Sequence, residues 1–336
     1  MKTMKHFSAM ALLVLAALCS CTDNDATNAI DTNPNFPQDG VIRVVTNVGT
    51  PETRAGITAD DIEIFNLNIE NKSDANYSYY ATILGSNTNG WTIYEGDGST
   101  PLTMLWKNST TPVTVTALSL KGLVIVTKEE FNSEQTCSVE SDQKTDMGIQ
   151  RSDLLYMKPT EVNPATDLVD GKLKVSFVHL FSKINLTLTL GTEFNTVPGT
   201  DSNPITGITV NGAKREIFFN TSTEELKQKD DSSPEAIIPW YDADNYTAGS
   251  GNTKNAVAKY EVILPPQTIQ SGSFSISFTL NGKSYKWTST TENTFKSGKS
   301  YTLNLTVGKD VVIMGAISAN AWETGTPDNN GNLETE

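Results

Sequence analysis

The stretch from Leu173 to Leu190, LKVSFVHLFSKINLTLTL, constrains the fold more than any other part of this sequence. It is the longest strand-like segment in the chain. Val175, Phe177, His179 and Phe181 stand at odd positions and share one face, whereas the later apolar residues Ile184, Leu186, Leu188 and Leu190 stand at even positions. Because successive side chains of a strand point to opposite faces, the buried face must change sides near Ser182 and Lys183. This pattern predicts a strand that leaves one sandwich and enters a second.

Short strand-like runs bounded by Asn, Gly, Ser and Pro recur on both sides of this stretch, which is typical of a β-sandwich. Asn281-Gly282 joins two such runs and predicts a two-residue hairpin, since both turn positions take a positive φ. We therefore predict an all-β protein with an N-terminal sandwich over 41–183 and a C-terminal sandwich over 184–336. Further strands are predicted at Leu102–Trp106, Pro112–Leu120 and Leu123–Thr127, and residues 129–168 are interpreted as an irregular excursion over the first domain.

The N-terminus resembles an export signal. Lys2 and Lys5 precede an apolar run that is shorter than the roughly twenty residues a membrane span needs. The sequence LCSC that follows looks like a bacterial lipobox, which predicts a signal peptide over 1–20 and lipidation of Cys21. Two incidental cysteines are the alternative reading, and Cys19 offers a poorer lipobox because the bulky Leu18 precedes it.

A lone strand follows the signal. Residues 21–40 are polar and rich in Asn, Asp and Pro, which favours a solvated tether. From Val41 the β-branched run VIRVVTNV predicts a strand that ends at Gly49. The loop after it carries Arg54 and Ala55, and a basic residue in a small polar loop is accessible to a protease. An ordinary surface arginine is the competing interpretation.

Composition narrows the possible functions. The chain has 39 acidic and 25 basic residues and a net charge of −14, so nucleic acid and anionic lipid surfaces are unfavourable partners. His179 is the only histidine beyond the signal, and we interpret it as a half-buried, hydrogen-bonded imidazole. No nucleophile–base pair, glycine-rich phosphate loop or regular metal-ligand spacing is present. We predict no enzyme activity, no cofactor and no metal.

Motifs along nearly the whole chain resemble the fimbrillin-like family, the lipoprotein-derived subunits of type V pili from Gram-negative anaerobes. The resemblance rests on the lipobox, the lone strand and loosely matching motifs taken in chain order. These motifs are TRAGIT from Thr53, FVHLFSKINLTL, YEVILPPQTI, NGKSYKWT, FKSGKSYTLNLTV and the terminal ANAWETG.

The resemblance implies two transthyretin-like β-sandwich domains in tandem and a location on the outer membrane and in cell-surface fimbriae. It also implies that an arginine-specific protease cuts after Arg54 and removes the strand within 41–54, so that other pilus subunits can insert a strand there. The candidate donor strand is 311–322. We predict that its donor residues share one face: Val311, Ile313, Ile317, Ala319 and Ala321.

Other interpretations stay open at this point. The segment 311–322 could instead be the ordinary last strand of the second domain. The protein could be a surface glycan-binding outer-membrane lipoprotein, since Trp91, Trp106, Trp240 and Trp287 could stack on sugars. A distant pair of catalytic carboxylates is the weakest alternative. The sequence does not identify an adhesion ligand or the type of subunit.

Overall fold

The fold consists almost entirely of strands. The computed structural model describes residues 34–49, 58–195 and 202–322, and these contain twenty strands and two short α-helices. The strands of the first half are β1 Val44–Val48, β2 Ile64–Glu70, β3 Ser78–Ser86, β4 Gly90–Glu95, β5 Val113–Ser119, β6 Glu134–Ser138, β7 Leu155–Val162 and β8 Leu173–His179. The prediction of an all-β protein is confirmed.

The second half adds twelve strands and includes two 3₁₀ turns, Thr192–Phe194 and Ala243–Asn245. The strands are β9 Ser182–Leu190, β10 Ile205–Asn211, β11 Glu216–Asn220, β12 Glu225–Gln228, β13 Tyr246–Thr247, β14 Ala256–Leu264, β15 Gln267–Ile269, β16 Ser275–Leu280, β17 Lys283–Thr288, β18 Asn293–Phe295, β19 Lys299–Val307 and β20 Val312–Ala321. The helices, α1 Lys128–Phe131 and α2 Asp146–Gln150, lie between β5 and β7.

The first sheet has seven strands in the order β1-β8-β7-β5-β2-β3-β4. Its strands pair antiparallel except β1, which runs parallel to β8. Apolar side chains on one side of this sheet form a buried cluster that includes Phe65, Val115, Phe177 and the β1 residues Val44 and Val48. Burial of this cluster is the main force that holds the sheet together.

A five-stranded sheet in the order β13-β14-β9-β19-β20 dominates the second half. Two three-stranded sheets, β10-β16-β17 and β12-β11-β6, and the pair β15-β18 accompany it. Their inward side chains form a second buried cluster, which includes Leu186, Val262, Ile276 and Leu303. The described parts of the chain therefore form two hydrophobic cores.

The passage from the first sheet to the five-stranded sheet occurs at Leu180 and Phe181, between β8 and β9. Strand β8 buries its odd-numbered residues, and β9 buries its even-numbered residues from Ile184 to Leu190. The predicted change of buried side is thus confirmed. The division into two transthyretin-like domains at Lys183 stays a prediction.

The hairpin prediction at Asn281-Gly282 is also confirmed. The two residues join β16 to β17, with φ values of 50° and 75°. Both values lie in the left-handed region that Gly adopts readily and that Asn tolerates better than most residues. The β-strand prediction over Pro112–Leu120 corresponds to β5.

The interpretation of residues 129–168 as an excursion over the first domain is wrong for most of this segment. Strand β6 pairs antiparallel with β11, so that Cys137 stands opposite Ile217. Cys137 and Ile149 are buried in the second hydrophobic cluster, and only β7 returns to the first sheet. Burial raises the pKa of the Cys137 thiol to about 12, which keeps it protonated and unreactive.

Two predicted strands do not form. Leu123–Thr127 is irregular, and Val124 is 80% exposed because this segment offers backbone carbonyls to side chains instead of pairing with a strand. Tyr80 Oη donates to the carbonyl of Ile125 at 2.9 Å. Leu102–Trp106 is likewise no strand, although the backbone N–H of Trp106 donates to the carbonyl of Gly40.

Candidate functional site: the first strand and its groove

Strand β1 lies at an edge of the seven-stranded sheet, and β8 is its only strand partner among the described residues. The parallel register runs from Val44 opposite Leu173 to Val48 opposite Phe177. This pairing covers only five residues, and parallel pairing is slightly less stable per residue than antiparallel pairing.

The burial of β1 alternates strictly. Ile42, Val44, Thr46 and Val48 are at most 5% exposed, whereas Asn47 is exposed to solvent. This alternation follows from the period of two in a strand that has one face on a core. Val44 and Val48, with Ile42 just before the strand, thus anchor β1 in the first hydrophobic cluster, and Thr46 is buried on the same face.

On its other side β1 is fixed at two points. The backbone N–H of Ile42 donates to the carbonyl of Met104 at 2.9 Å. The side-chain amide of Asn87 accepts from the N–H of Thr46 and donates to the carbonyl of Thr46, both at 2.9 Å. Asn87 lies in the turn between β3 and β4, so a single side chain takes the place of a neighbouring strand.

A half-open cavity of about 560 Å³ separates these two points, and we call it the β1 cavity. Residues 41–45 line one wall, and Trp91, Leu102 and Met104 contribute to the other. The carbonyl of Arg43, just before β1, accepts from the N–H of Leu173, and the N–H of Gly49, just after β1, donates to the carbonyl of Phe177. The odd-numbered residues of β1 therefore turn their backbone groups toward β8. Val44 has the opposite parity, and its N–H and C=O therefore point toward the cavity.

Two basic side chains line the β1 cavity. They are Arg43 and Lys172, and Lys172 directly precedes Leu173, the partner of Val44. Asp39 binds the guanidinium of Arg43, with 3.0 Å between Nη1 and Oδ1. This hydrogen bond, with a smaller contribution from the Val41 N–H, lowers the pKa of Asp39 to about 2.

The predicted processing residues cannot be placed against this geometry. Cys21, Arg54 and Ala55 lie outside the described residues, as does the whole signal peptide. The described chain leaves β1 at Gly49 and resumes at Thr58. Arg54 therefore falls in the connection between β1 and the rest of the first sheet.

The candidate donor strand corresponds to β20, at the edge of the five-stranded sheet. It pairs antiparallel with β19 along its whole length. Val311 and Ile313, at its start, are 51% and 57% exposed. Within this single chain the segment 311–322 thus occupies the place of a last strand, and its donor role stays a prediction.

The shared face of the five donor residues stays a prediction, and the backbone register of β20 bears on it. The register with β19 shifts between Leu303 and Leu305, which pair with Ile317 and Met314. Such a bulge gives β20 one extra residue. Odd-numbered residues of β20 before the bulge therefore lie on the opposite face from odd-numbered residues after it. Ile317 and Ala319 therefore stand opposite the buried Leu303 and Tyr301, whereas Ile313 stands opposite the exposed Thr306.

The end of β20 leads into a buried polar cluster at the junction of the two sheets. Trp322 stacks on His179, with ring centroids 4.1 Å apart, and Lys183 Nζ lies 5.5 Å from the Trp322 ring centroid. His179 Nδ1 bonds Asp153 Oδ1 at 2.9 Å. The imidazole is hydrogen-bonded as predicted, but it is fully buried rather than half-buried, because Trp322 covers it.

The tryptophans that could stack on sugars have different environments. Trp106, Trp240 and Trp287 are at most 8% exposed and belong to the two cores. Trp91 is half-buried, lines the β1 cavity and donates from Nε1 to Asn87 Oδ1 at 3.2 Å. Only Trp91 among these four therefore has a ring beside an open space.

Within the described ranges, no group of three or more His, Cys, Asp and Glu side chains is arranged to hold a metal ion. In the same part of the chain, no helix has the length and apolar composition of a membrane span.

Comparison with known proteins gives the family. The model of the fimbrillin-like family matches residues 46–322. The chain belongs to the fimbrillin-like family. The match begins inside β1 and ends at Trp322, so this fimbrillin-like protein carries the family pattern through both hydrophobic cores. No curated protein matches the chain.

Several solved structures are similar to this fimbrillin-like protein. A candidate cell adhesion protein from Bacteroides uniformis is 17% identical, with 85% of this chain and 99% of that chain covered and a TM-score of 0.54. One from Bacteroides ovatus is 15% identical, with 82% and 96% covered and a TM-score of 0.56. The tip fimbrial protein Mfa3 from Porphyromonas gingivalis is 10% identical, with 84% and 100% covered and a TM-score of 0.43. At these identities the first two support the fold alone, and the third carries no argument.

Proposed function

We propose that this fimbrillin-like protein is a structural subunit of a cell-surface pilus and not an enzyme. Membership of the family supports this function. In the proposed assembly, β1 is removed from its groove and a strand of another subunit takes its place.

The position of β1 is the observation that carries this proposal. It is an edge strand that pairs with β8 alone among the strands the structure describes, and it is joined to the rest of its sheet through a connection that contains Arg54. An arginine-specific protease that cuts after Arg54 would leave β1 attached only by non-covalent contacts. Its loss would expose the backbone groups of β8 from Leu173 to Phe177, and such an open edge accepts an added strand.

Strand β20 is the proposed donor. It is an edge strand of the five-stranded sheet, and two residues at its start, Val311 and Ile313, are exposed apolar side chains. To donate, β20 would exchange its pairing with β19 for pairing with the groove of a neighbour. In this arrangement the subunit both offers a strand and receives one, which is the requirement for a linear polymer.

Export as a lipoprotein precedes assembly in this proposal. Lipidation of Cys21 would tether the precursor to the outer membrane through the polar segment 21–40. Each buried methylene of an acyl chain contributes about 0.8 kcal/mol to membrane binding. Cleavage after Arg54 would then leave the lipid-bearing segment attached only by the non-covalent contacts of β1, and departure of β1 would open the groove and release the subunit from its lipid.

The test is the substitution Arg54→Ala in cells that assemble pili. We expect a folded, surface-exposed precursor that forms no heat- and detergent-resistant ladder on gels, because β1 stays in its groove. Arg43→Ala is the matched control, since it removes another arginine of the same N-terminal segment, one that is exposed and directly precedes β1. Ladders of normal length from Arg54→Ala would refute the cleavage step, whereas ladders lost in both variants would point to a general defect.

A glycan-binding surface lipoprotein is the second candidate function, and Trp91 beside the β1 cavity is the observation that favours it. The ring of Trp91 is half-buried and its indole N–H is already bonded to Asn87. A protein of this kind would bind a soluble oligosaccharide as a monomer without cleavage at Arg54. Loss of that binding on Trp91→Ala, with ladders unaffected, would separate it from the pilus subunit.

A further inference from the structure

The β1 cavity indicates that β1 fills its groove incompletely. Ile42 and Val44 are buried on β1, yet a half-open space of about 560 Å³ remains between them and the wall that contains Trp91, Leu102 and Met104. Cavities of this size hold ligands in other proteins. Protein interiors are otherwise packed to the density of organic crystals, so a strand fitted to this groove would leave much less space.

The cavity also interrupts the pairing of β1. On this side Ile42 and Thr46 are bonded to Met104 and to Asn87, but the backbone N–H and C=O of Val44 between them face the open space. A small apolar ligand would leave these groups without partners. An extended chain with a long side chain at this position could fill the apolar part of the space while keeping the backbone close to β8.

The charged side chains at the same end of the groove place a second requirement on the strand that replaces β1. Arg43, just before β1, lines the cavity together with Lys172, and Val45 pairs with Lys174, which is exposed. Removal of β1 takes Arg43 away with Asp39 as its counter-ion and leaves Lys172 and Lys174 on β8. A strand with an acidic residue at the position of Arg43 would then stand beside two cations instead of adding a third.

We propose that the groove of β1 is built for a different strand: an extended segment of another subunit with a long apolar side chain, Leu, Met or Phe, at the position of Val44 and an acidic residue at the position of Arg43. This inference rests on the proposed function, because it names the partner that replaces β1. The β1 cavity would select the apolar side chain of the incoming strand, and Lys172 and Lys174 would select its acidic residue.

The test uses the full mature chain after limited cleavage at Arg54 by an arginine-specific protease, with the cut verified by mass. Three fluorescent ten-residue peptides compete for the groove: the β1 sequence VIRVVTNVGT, the same peptide with Val44→Leu, and the same peptide with Arg43→Glu. The added methylene should strengthen binding about fourfold. The glutamate should strengthen it about two- to fivefold at low salt and less at high salt.

A matched pair of full-length variants tests the cavity without any exchange of strands. Val44 lines the cavity and Val48 does not, yet they are 5% and 4% exposed. Val44→Leu should hold or raise the thermal midpoint, because the extra carbon enters empty space. Val48→Leu should lower it, because it overpacks a filled core.

The outcomes separate the two proposals. This inference would be overturned if all three peptides exchanged with β1 at equal affinities and both valine variants lost the same amount of thermal midpoint. The proposed function would still stand in that case. No exchange of any peptide would overturn both. Binding of mannohexaose that Trp91→Ala abolishes, without preference among the peptides, would assign the cavity to a sugar instead of a strand.

Discussion

The strand β1 should carry a large share of the stability of the first sheet, although it is only five residues long. We predict that a chain that begins at Ala55, produced without any partner subunit, has a strongly destabilised first sheet. The perturbation removes Ile42, Val44 and Val48, which are at most 5% exposed, from the first hydrophobic cluster, and Phe36 with them. It also removes the pairing partner of β8.

The magnitude follows from the burial of these side chains. Full burial of a Val or Ile side chain is worth about 1.5–3 kcal/mol, so three such side chains contribute about 5–9 kcal/mol. The free energy of unfolding of a whole domain is typically about 5–15 kcal/mol. The shortened chain should therefore have a first sheet near the limit of stability, whereas the second hydrophobic cluster keeps all its residues.

Urea denaturation followed by tryptophan fluorescence and by hydrogen exchange measures this difference. The backbone amides of β2, β5 and β8 should exchange much faster in the shortened chain, while those of β9, β14 and β19 keep their protection. Adding the β1 peptide should restore protection in the first set. Two substitutions calibrate the result: Val44→Ala should cost about 1.5–3 kcal/mol and the exposed Asn47→Ala less than about 0.5 kcal/mol.

Equal protection of β8 in the shortened and full chains would refute this reasoning. It would mean that β1 lies on an already complete core. The same conclusion would follow if Val44→Ala and Asn47→Ala had the same effect on the free energy of unfolding.

Three further predictions concern other contacts. Asn87→Ala should remove both 2.9 Å hydrogen bonds to the backbone of Thr46, lower the free energy of unfolding by about 1–3 kcal/mol and speed amide exchange at Thr46. Asn87→Asp keeps the acceptor for the Thr46 N–H and should therefore retain part of this stabilisation. Trp322→Ala should lower the free energy of unfolding by about 3–5 kcal/mol because it uncovers His179 and Lys183, and an unchanged urea midpoint would contradict this role. Cys21→Ala should abolish palmitate labelling of the precursor, and persistent labelling would move the assignment to Cys19.

Local sequence patterns predicted the features that depend on neighbouring residues. The change of parity between Phe181 and Ile184 was visible because a strand records its buried face in every second residue. The hairpin at Asn281-Gly282 was visible because its two turn positions demand particular residue types.

Features that depend on distant contacts were not predictable in this way. The pairing of β6 with β11 joins segments about 80 residues apart, and nothing in the polar sequence of β6 indicates its partner. The bulge in β20 separated Ile313 from Ile317, although both occupy odd positions. The role of Asn87 gave no signal either, since asparagine is common in turns of every kind.

The N-terminal residue of the subunit recovered from assembled surface filaments tests the central claim most directly. Filaments are sheared from intact cells, separated as ladders without heating, and the subunit in the higher bands is identified by N-terminal sequencing and intact mass. The account predicts that the chain in these bands begins at Ala55 and lacks β1. A chain in the same bands that begins at acylated Cys21 and still contains Val41–Val48 would contradict it.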